Sequence, residues 1–284
     1  MAASKVWFIT GAFSGFGRIM TNLVLESGNK CVATSIDPAA LDPLVKQYGP
    51  SKILSLYVDV TKPAQVQEAF RKAKETFGGV DVVFSNAGIC FADEVEDTAD
   101  ETARKIFEVN FWGVSNVMKE TVKMFRDGNP PGRGGKLMQM ASIAGVIGWP
   151  SLGYYCASKH AVEGLTKTLV QELKTEWNIQ VTLVEPGFFA TPIITNINQN
   201  KVEAKATYAG GAADTNRTAM EDPSIAGDPT KAMQLVKKVA EMEKLPLHLP
   251  IGADAIPVFR GTSEELTKAA NDWEVEATAT RFDS

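Results

Sequence analysis

Short runs of apolar, largely β-branched residues alternate along this 284-residue chain with longer stretches whose apolar positions recur every three to four residues. The short runs, at 6–10, 30–34, 53–58, 80–85, 135–141 and 180–184, with a weaker one at 247–251, read as strands. Strands alternating with helical patterns predict a parallel sheet covered by helices on both faces, and these seven fill one doubly wound α/β sheet. Val66, Ala69, Phe70, Ala73 and Phe77 follow helical spacing, with Thr61 as the expected cap and Pro63 tolerated in the first turn. A longer helix is expected over about 100–125, presenting Ile106, Phe107, Phe111, Val114, Val117 and Met118, and Asp228-Pro229 reads as a cap followed by a first-turn proline. One stretch breaks the pattern: 192–227 is polar, rich in Asn, Ala and Gly, and longer than a simple connection, which reads as a substrate lid. There is no internal repeat, so the whole of 1–284 is read as a single domain.

Composition narrows the classes. At 44% apolar and 22% charged, the chain has the balance of a soluble globular protein. A net charge of −5 offers no global attraction to nucleic acid or to an anionic membrane. Only the four-residue apolar run Val6 to Ile9 leads up to Thr10, too short for a signal peptide or a membrane span, and the expected location is the reducing cytoplasm. Cys31, Cys90 and Cys156 are an odd count without metal-like spacing, and His160 and His248 lie far apart, so neither a disulfide framework nor a metal site is expected.

Two segments carry candidate chemistry. The first strand ends in TGAFSGFGR, residues 10–18, and opens a helix with Ile19, Met20, Leu23 and Val24. Glycines there permit a tight turn and a close backbone approach to a pyrophosphate, which the helix N-terminus attracts. The second segment is GYYCASKHAVEG, residues 153–164. If it is helical, Tyr155 and Lys159 lie about 40° apart around the axis and Tyr154 points elsewhere. A phenol holds its proton to about pH 10, and a neighbouring ammonium lowers that value, so such a pair can pass a proton near neutral pH. In isolation the same spacing also describes a surface pair that touches nothing.

The order of motifs is more specific. Thr10-Gly11-x-x-x-Gly15-x-Gly17, Ser85-Asn86-Ala87-Gly88, Asn110, Ser142, Tyr155-x-x-x-Lys159 and Pro186-Gly187-x-x-x-Thr191 together resemble the classical short-chain dehydrogenase/reductase family over about residues 5–191. The resemblance implies a Rossmann-type fold and an oxidoreductase. It also implies that Gly11, Phe13, Ser14, Gly15, Phe16 and Gly17 lie along the dinucleotide, with Asp59 and Val60 at the adenine and Asn86, Ala87 and Gly88 at the ribose. Pro186, Gly187 and Thr191 complete that cofactor set. Ser142 would bind the substrate oxygen, Tyr155 act as general acid or base, Lys159 lower the tyrosine pKa and hold the ribose, and Asn110 anchor a water relay. The family's habit implies a homodimer or homotetramer built on the long helices. The region 228–284 resembles, more loosely, a branch with steroid- and retinol-type dehydrogenases and fungal reductases, and is expected on the substrate side.

Two features depart from that pattern. At the end of the second strand, Ser35 stands where an NAD-reading acid is expected and Ile36 where an NADP-reading arginine is expected. With no acid at Ser35 to repel a phosphate, NADP(H) is favoured and NAD(H) remains the alternative, Asp37 being able to favour it. Cys90, Ser142, Trp149, Tyr154, Phe188 and Phe189 would surround the reacting carbon, and their mostly apolar character predicts a small hydrophobic ketone, aldehyde or secondary alcohol as the partner. Two other readings stay open: a non-catalytic dinucleotide sensor or scaffold on the same fold, and a sugar-nucleotide epimerase or dehydratase. The first is disfavoured by retention of both Tyr155 and Lys159, the second by the glycine spacing and the lack of a large C-terminal domain.

Overall fold

β1 (Val6–Thr10) has no solvent-facing side, and all five of its residues are buried. Alternate side chains go to opposite faces of a strand. Trp7 and Ile9 accordingly join one apolar cluster, and Val6 and Phe8 the other. Each large side chain buried this way contributes about 1.5–3 kcal/mol, and Phe8 adds a stacked ring contact to Phe70 at 4.1 Å. A strand covered on both faces belongs at the centre of a parallel sheet.

The computed structural model describes residues 4–199 and 206–282. Beside β1 lie β2 (Lys30–Ser35), β3 (Ile53–Tyr57), β4 (Val82–Ser85), β5 (Gly135–Met140), β6 (Ile179–Pro186) and β7 (His248–Ile251). All pair in parallel, in the order β3-β2-β1-β4-β5-β6-β7. This is the doubly wound Rossmann arrangement, and the chain reverses direction across the sheet between β1 and β4. The layer over Trp7 and Ile9 contains α1 (Gly15–Glu26), α2 (Asp42–Tyr48) and α9 (Pro229–Glu241). The layer over Phe8 contains α3 (Pro63–Phe77), α4 (Asp100–Phe107), α5 (Val114–Lys123) and α6 (Gly153–Glu172). Outside these layers lie α7 (Pro192–Gln199), α8 (Ala212–Glu221) and α10 (Ala255–Thr278).

Most sequence expectations for the elements are met, with four differences. The long helix runs from Asp100 past 125, but is interrupted by π-helical turns at Glu108–Gly113 and Met124–Gly128. Thr61 does not cap α3. It donates to Asp59 Oδ1 instead, and Lys62 occupies the cap position without a side-chain bond. Asp228 does cap α9, accepting from Thr230 N at 2.8 Å. The polar stretch 192–227 is not irregular throughout, because Ile193, Ile194 and Ile197 give α7 an apolar side that packs against a third cluster with Met220 of α8. Part of that stretch, 200–205, lies outside the described residues. Within 228–284, expected on the substrate side, Asp254 reaches Phe188 N, whereas α9 buries Ala232, Met233, Val236, Val239 and Ala240 in the core against α1 and α10 is almost wholly exposed.

Candidate active site

Where the strand order reverses, the tips of β1 and β4 are tied together. Thr10 Oγ1 accepts from Asn86 N at 2.9 Å and Ala87 N at 3.0 Å, while Asn86 Nδ2 donates to Thr10 O at 3.0 Å. Ligands of such sheets bind in the crevice at this switch point. Gly11 and Gly15 have φ of +64° and +50°, which side chains with a Cβ disfavour. A Cβ on Gly17 would lie 2.2 Å from Gly11 O, so the turn closes on α1 only with glycine there. Phe13 and Ser14 complete the loop, and the Ser14 hydroxyl makes no capping bond to α1. These residues fit a nicotinamide dinucleotide: an open backbone cradle leads into a helix N-terminus that favours its phosphates.

The first turn of α1 fans its side chains toward different parts of this crevice. Phe16 meets the Phe189 ring at 5.5 Å, Gly17 faces the strand tip, and Arg18 Nη1 donates to Ala40 O at 2.6 Å in the turn after β2. That same turn holds the ambiguous cofactor-reading positions. Ser35 is buried and its Oγ accepts from Asp37 N at 2.7 Å, Ile36 is 61% exposed, and Asp37 is exposed. Arg18 is a cation at this turn that sequence reasoning passed over, because it stands one residue beyond the glycine motif. Asp59 forms a turn of its own through Thr61, and Val60 packs against Gly113, where a Cβ would come within 2.6 Å.

Ser142, Tyr155 and Lys159 converge at the other end of the crevice, with Asn110 behind them. Ser142 follows β5, lies on a short turn, accepts from Ala144 N at 3.2 Å and donates to Pro186 O at 3.4 Å. Lys159 is buried on α6, donates to Met140 O at 3.3 Å and sits 5.7 Å from the Tyr155 ring centroid. Glycine at 88 keeps the space open, since a Cβ there would lie 3.3 Å from Asn110 Oδ1 and 3.8 Å from Lys159 Nζ. Asn110 is fully buried within the π-helical turn. Its Oδ1 accepts from Ile89 N at 2.9 Å, and its Nδ2 donates to Ile89 O at 2.9 Å and Ser158 Oγ at 3.1 Å. Those bonds occupy its amide and join the long helix to α6.

Burial pushes the Tyr155 phenol above its ordinary value. The Cys90 thiol adds to the rise, and a hydrogen bond shared with Ser142 pulls the value partly back. This is opposite in direction to the lowering expected from Lys159. Burial dominates, and it also pushes Lys159 itself down to about 8, against the neighbouring Cys90 and Glu163, which raise it. The Cys90 thiol is pushed up by burial too, which makes it a poor nucleophile.

A cavity opens at Tyr155 and Ser142. Cys90, Trp149, Phe188 and Phe189 line it as expected, together with Phe16, Asn86, Gly88, Pro186, Gly187 and Thr191 from the cofactor set. Tyr154 does not, because one residue along α6 turns a side chain by about 100°. Leu152, in the loop after Ser142, also lines it, as do Ile193, Ile194, Ile197 and Met220, which were not singled out from sequence; large apolar residues thinly spread in a polar stretch were the available signal. Among described residues, none beyond Met220 lines it, although Asp254 Oδ2 accepts from Phe188 N at 2.8 Å and so holds the cavity wall.

A family model described as short chain dehydrogenase matches residues 5–202. An uncharacterised oxidoreductase of Schizosaccharomyces pombe is 33% identical over 258 residues, covering 91% of this chain and 85% of its own. A 3-ketodihydrosphingosine reductase of Bacteroides thetaiotaomicron is 30% identical over 249 residues, covering 87% and 88%. The crystal structure of a short-chain dehydrogenase from Streptomyces avermitilis superposes with a TM-score of 0.85 at 27% identity, over 99% of this chain and 100% of that one. With its glycine cradle at the switch point and seven-stranded parallel sheet, the chain belongs to the short-chain dehydrogenase/reductase family, oxidoreductases that act on CH–OH or C=O groups with a nicotinamide cofactor.

Proposed function

We propose that this protein interconverts a hydrophobic ketone or aldehyde and its alcohol, with NADP(H) as the favoured dinucleotide. One observation carries the reading: Ser142, Tyr155 and Lys159 line a cavity whose other walls are largely apolar and aromatic. Gly11, Gly15 and Gly17 would hold the dinucleotide, whose nicotinamide would supply or accept the hydride. Ser142 and Tyr155 then meet the substrate oxygen, on which negative charge builds as a carbonyl is reduced. Donors placed at that oxygen stabilise the transition state more than the ground state. A phenol pushed up by burial is still a far stronger acid than the alcohol being formed, so Tyr155 delivers its proton readily in reduction. Oxidation requires the phenolate, which burial disfavours at neutral pH. Lys159 supports that anion while it carries charge, below about 8. Asn110 holds α6 in place through Ser158.

For the dinucleotide, three features support NADP(H): no acid lies at Ser35, Asp37 is exposed, and the Arg18 guanidinium reaches the same turn. The relative that acts on 3-ketodihydrosphingosine, by its name, is consistent with an apolar ketone. Fluorescence titration with NADPH and NADH, followed by addition of apolar ketones and aldehydes to the tighter complex, tests the whole reading. Tighter NADPH binding with oxidation by a panel member is the expected result. Binding without turnover of any carbonyl or alcohol would favour a dinucleotide sensor instead.

A further inference from the structure

The roof of the cavity is held by an anchor that takes no part in the chemistry. Met220 of α8 lies on the cavity wall, and Arg217 and Asn216 share its side of the helix at spacings of three and four residues. Arg217 pairs with Glu94 in the connection after β4, and the two side chains are only 2% and 4% exposed. Glu94 is itself fixed, its amide donating to Asp93 Oδ1 at 3.0 Å and its carbonyl accepting from Thr98 Oγ1 at 2.8 Å. Asn216 accepts from the indole N–H of Trp149 and donates to Pro150 O at 2.8 Å and Ser151 Oγ at 3.3 Å. Ser151 is held in the left-handed region at φ +63°, a conformation that surrounding contacts must maintain. Trp149, thus oriented, meets the Phe188 ring at 5.6 Å inside the cavity. Two buried polar residues of one helix therefore set both a roof residue and a wall residue.

We infer that Arg217 is a positioning residue for the substrate: its buried pairing with Glu94 seats α8 over the cavity, and so sets affinity for the apolar arm of the substrate. This rests on the reductase reading above, and it identifies the preferred substrates as carbonyls whose apolar arm extends from the reacting carbon to Met220. Arg217 is distant in role from proton transfer, because among the cavity-lining residues only Met220, Ile193, Ile194 and Ile197 come from α7 and α8. Loss of its charge leaves Glu94 buried and unpaired, which strongly favours an open position of α8.

The test compares wild type with Arg217→Met, Arg217→Lys, Glu94→Gln and Met220→Ala, using two ketones of one series, one with a short and one with a long alkyl arm, at saturating dinucleotide. In Arg217→Met, KM for the long ketone should rise about tenfold while KM for the short ketone, kcat and dinucleotide affinity stay within about threefold. Arg217→Lys should recover most of the difference, and Met220→Ala should reproduce the dependence on arm length. Equal KM changes for both ketones, or a fall in kcat alone, would overturn the proposal. Amide hydrogen exchange over 212–221 reads the seating of α8 without any substrate. It should accelerate about tenfold or more in Arg217→Met relative to the central strands, and unchanged exchange would also overturn the proposal. Should Arg217→Met not fold, Glu94→Gln is measured in both assays with the same expectation. A wild type that turns over neither ketone, with α8 loosened in the variants, would reject the reductase reading while sustaining the anchor.

Discussion

At the scale of single residues, the site turns on how burial sets protonation. Tyr155 keeps its proton to a higher pH than a free phenol, and Lys159 loses its proton near 8 rather than above 10. If Tyr155 is the general acid, Tyr155→Phe should lower kcat for carbonyl reduction by about 10²–10⁴-fold while dinucleotide binding persists. An active Tyr155→Phe enzyme would remove Tyr155 from the mechanism. The same protonation states predict opposite pH profiles: reduction should weaken toward alkaline pH as the phenol is lost, and alcohol oxidation should strengthen over that range. Profiles that run in parallel would contradict the assignment. Arg18 makes a separate prediction. Arg18→Ala should weaken NADPH binding by about ten- to a hundredfold and leave NADH nearly unchanged, consistent with loss of one charge-assisted contact of about 1.5–3 kcal/mol. Equal losses for both dinucleotides would place the phosphate reader elsewhere.

At the scale of elements, the glycine turn and the π-helical turn each solve a geometric problem. Gly17 brings α1 onto Gly11 O, and any Cβ would collide there at 2.2 Å with backbone that has no flexible end to move. Gly17→Ala should therefore abolish tight dinucleotide binding and lower the thermal midpoint by several degrees, equivalent to about 1–3 kcal/mol of overpacking. Full binding in that variant would mean the loop tolerates displacement of α1. The π-helical turn at Glu108–Gly113 carries one extra residue per turn, a device frequent at functional sites. It directs Asn110 inward to Ile89 and Ser158 instead of along the apolar face formed by Ile106, Val114 and Val117. The helix over 100–125 was legible from that apolar face. Its interruption was not, because the eight-residue step from Ile106 to Val114 is one that an unbroken helix also allows. The strands were legible for a different reason: a sheet buried on both sides requires continuous apolar runs. The covering segment was less so, since Ile193, Ile194, Ile197 and Met220 are thinly spread in polar sequence.

At the scale of the whole molecule, an unusual charge arrangement joins α6 to the far edge of the sheet. Glu185 of β6 is fully buried against Glu163 of α6, His248 Nδ1 lies 2.6 Å from its Oε1, and Leu249 N donates to its Oε2 at 3.0 Å. Lys167 Nζ approaches Glu163 Oε2 at 3.0 Å. Burial, then repulsion from Glu163, raises the Glu185 carboxyl well above its ordinary value, and burial with Lys167 holds the His248 imidazole below its own. The folded protein thus keeps a proton on Glu185 that the unfolded chain releases above about 4.3. Folding takes up that proton, so its stabilising contribution is full below the unfolded value and is lost as pH rises through the folded one. The thermal midpoint of wild type should fall between about pH 6 and 9, and Glu185→Gln should flatten the slope. Equal slopes would locate the proton elsewhere.

The sequence by itself determined the elements and the order of the chemistry-bearing residues. Apolar runs, helical spacing and glycine positions are local requirements of backbone geometry and burial, and Tyr155 and Lys159 four residues apart must share one side of a helix. Which way Tyr155 titrates was decided only by the tertiary structure, because desolvation depends on everything packed around the phenol and outweighs the hydrogen bond shared with Ser142. The same holds for Arg217 with Glu94, 123 residues apart, and for Glu163 with Glu185 and His248. Separations of that size carry no pattern along the chain, and such pairs exist only once the sheet order has brought their elements together.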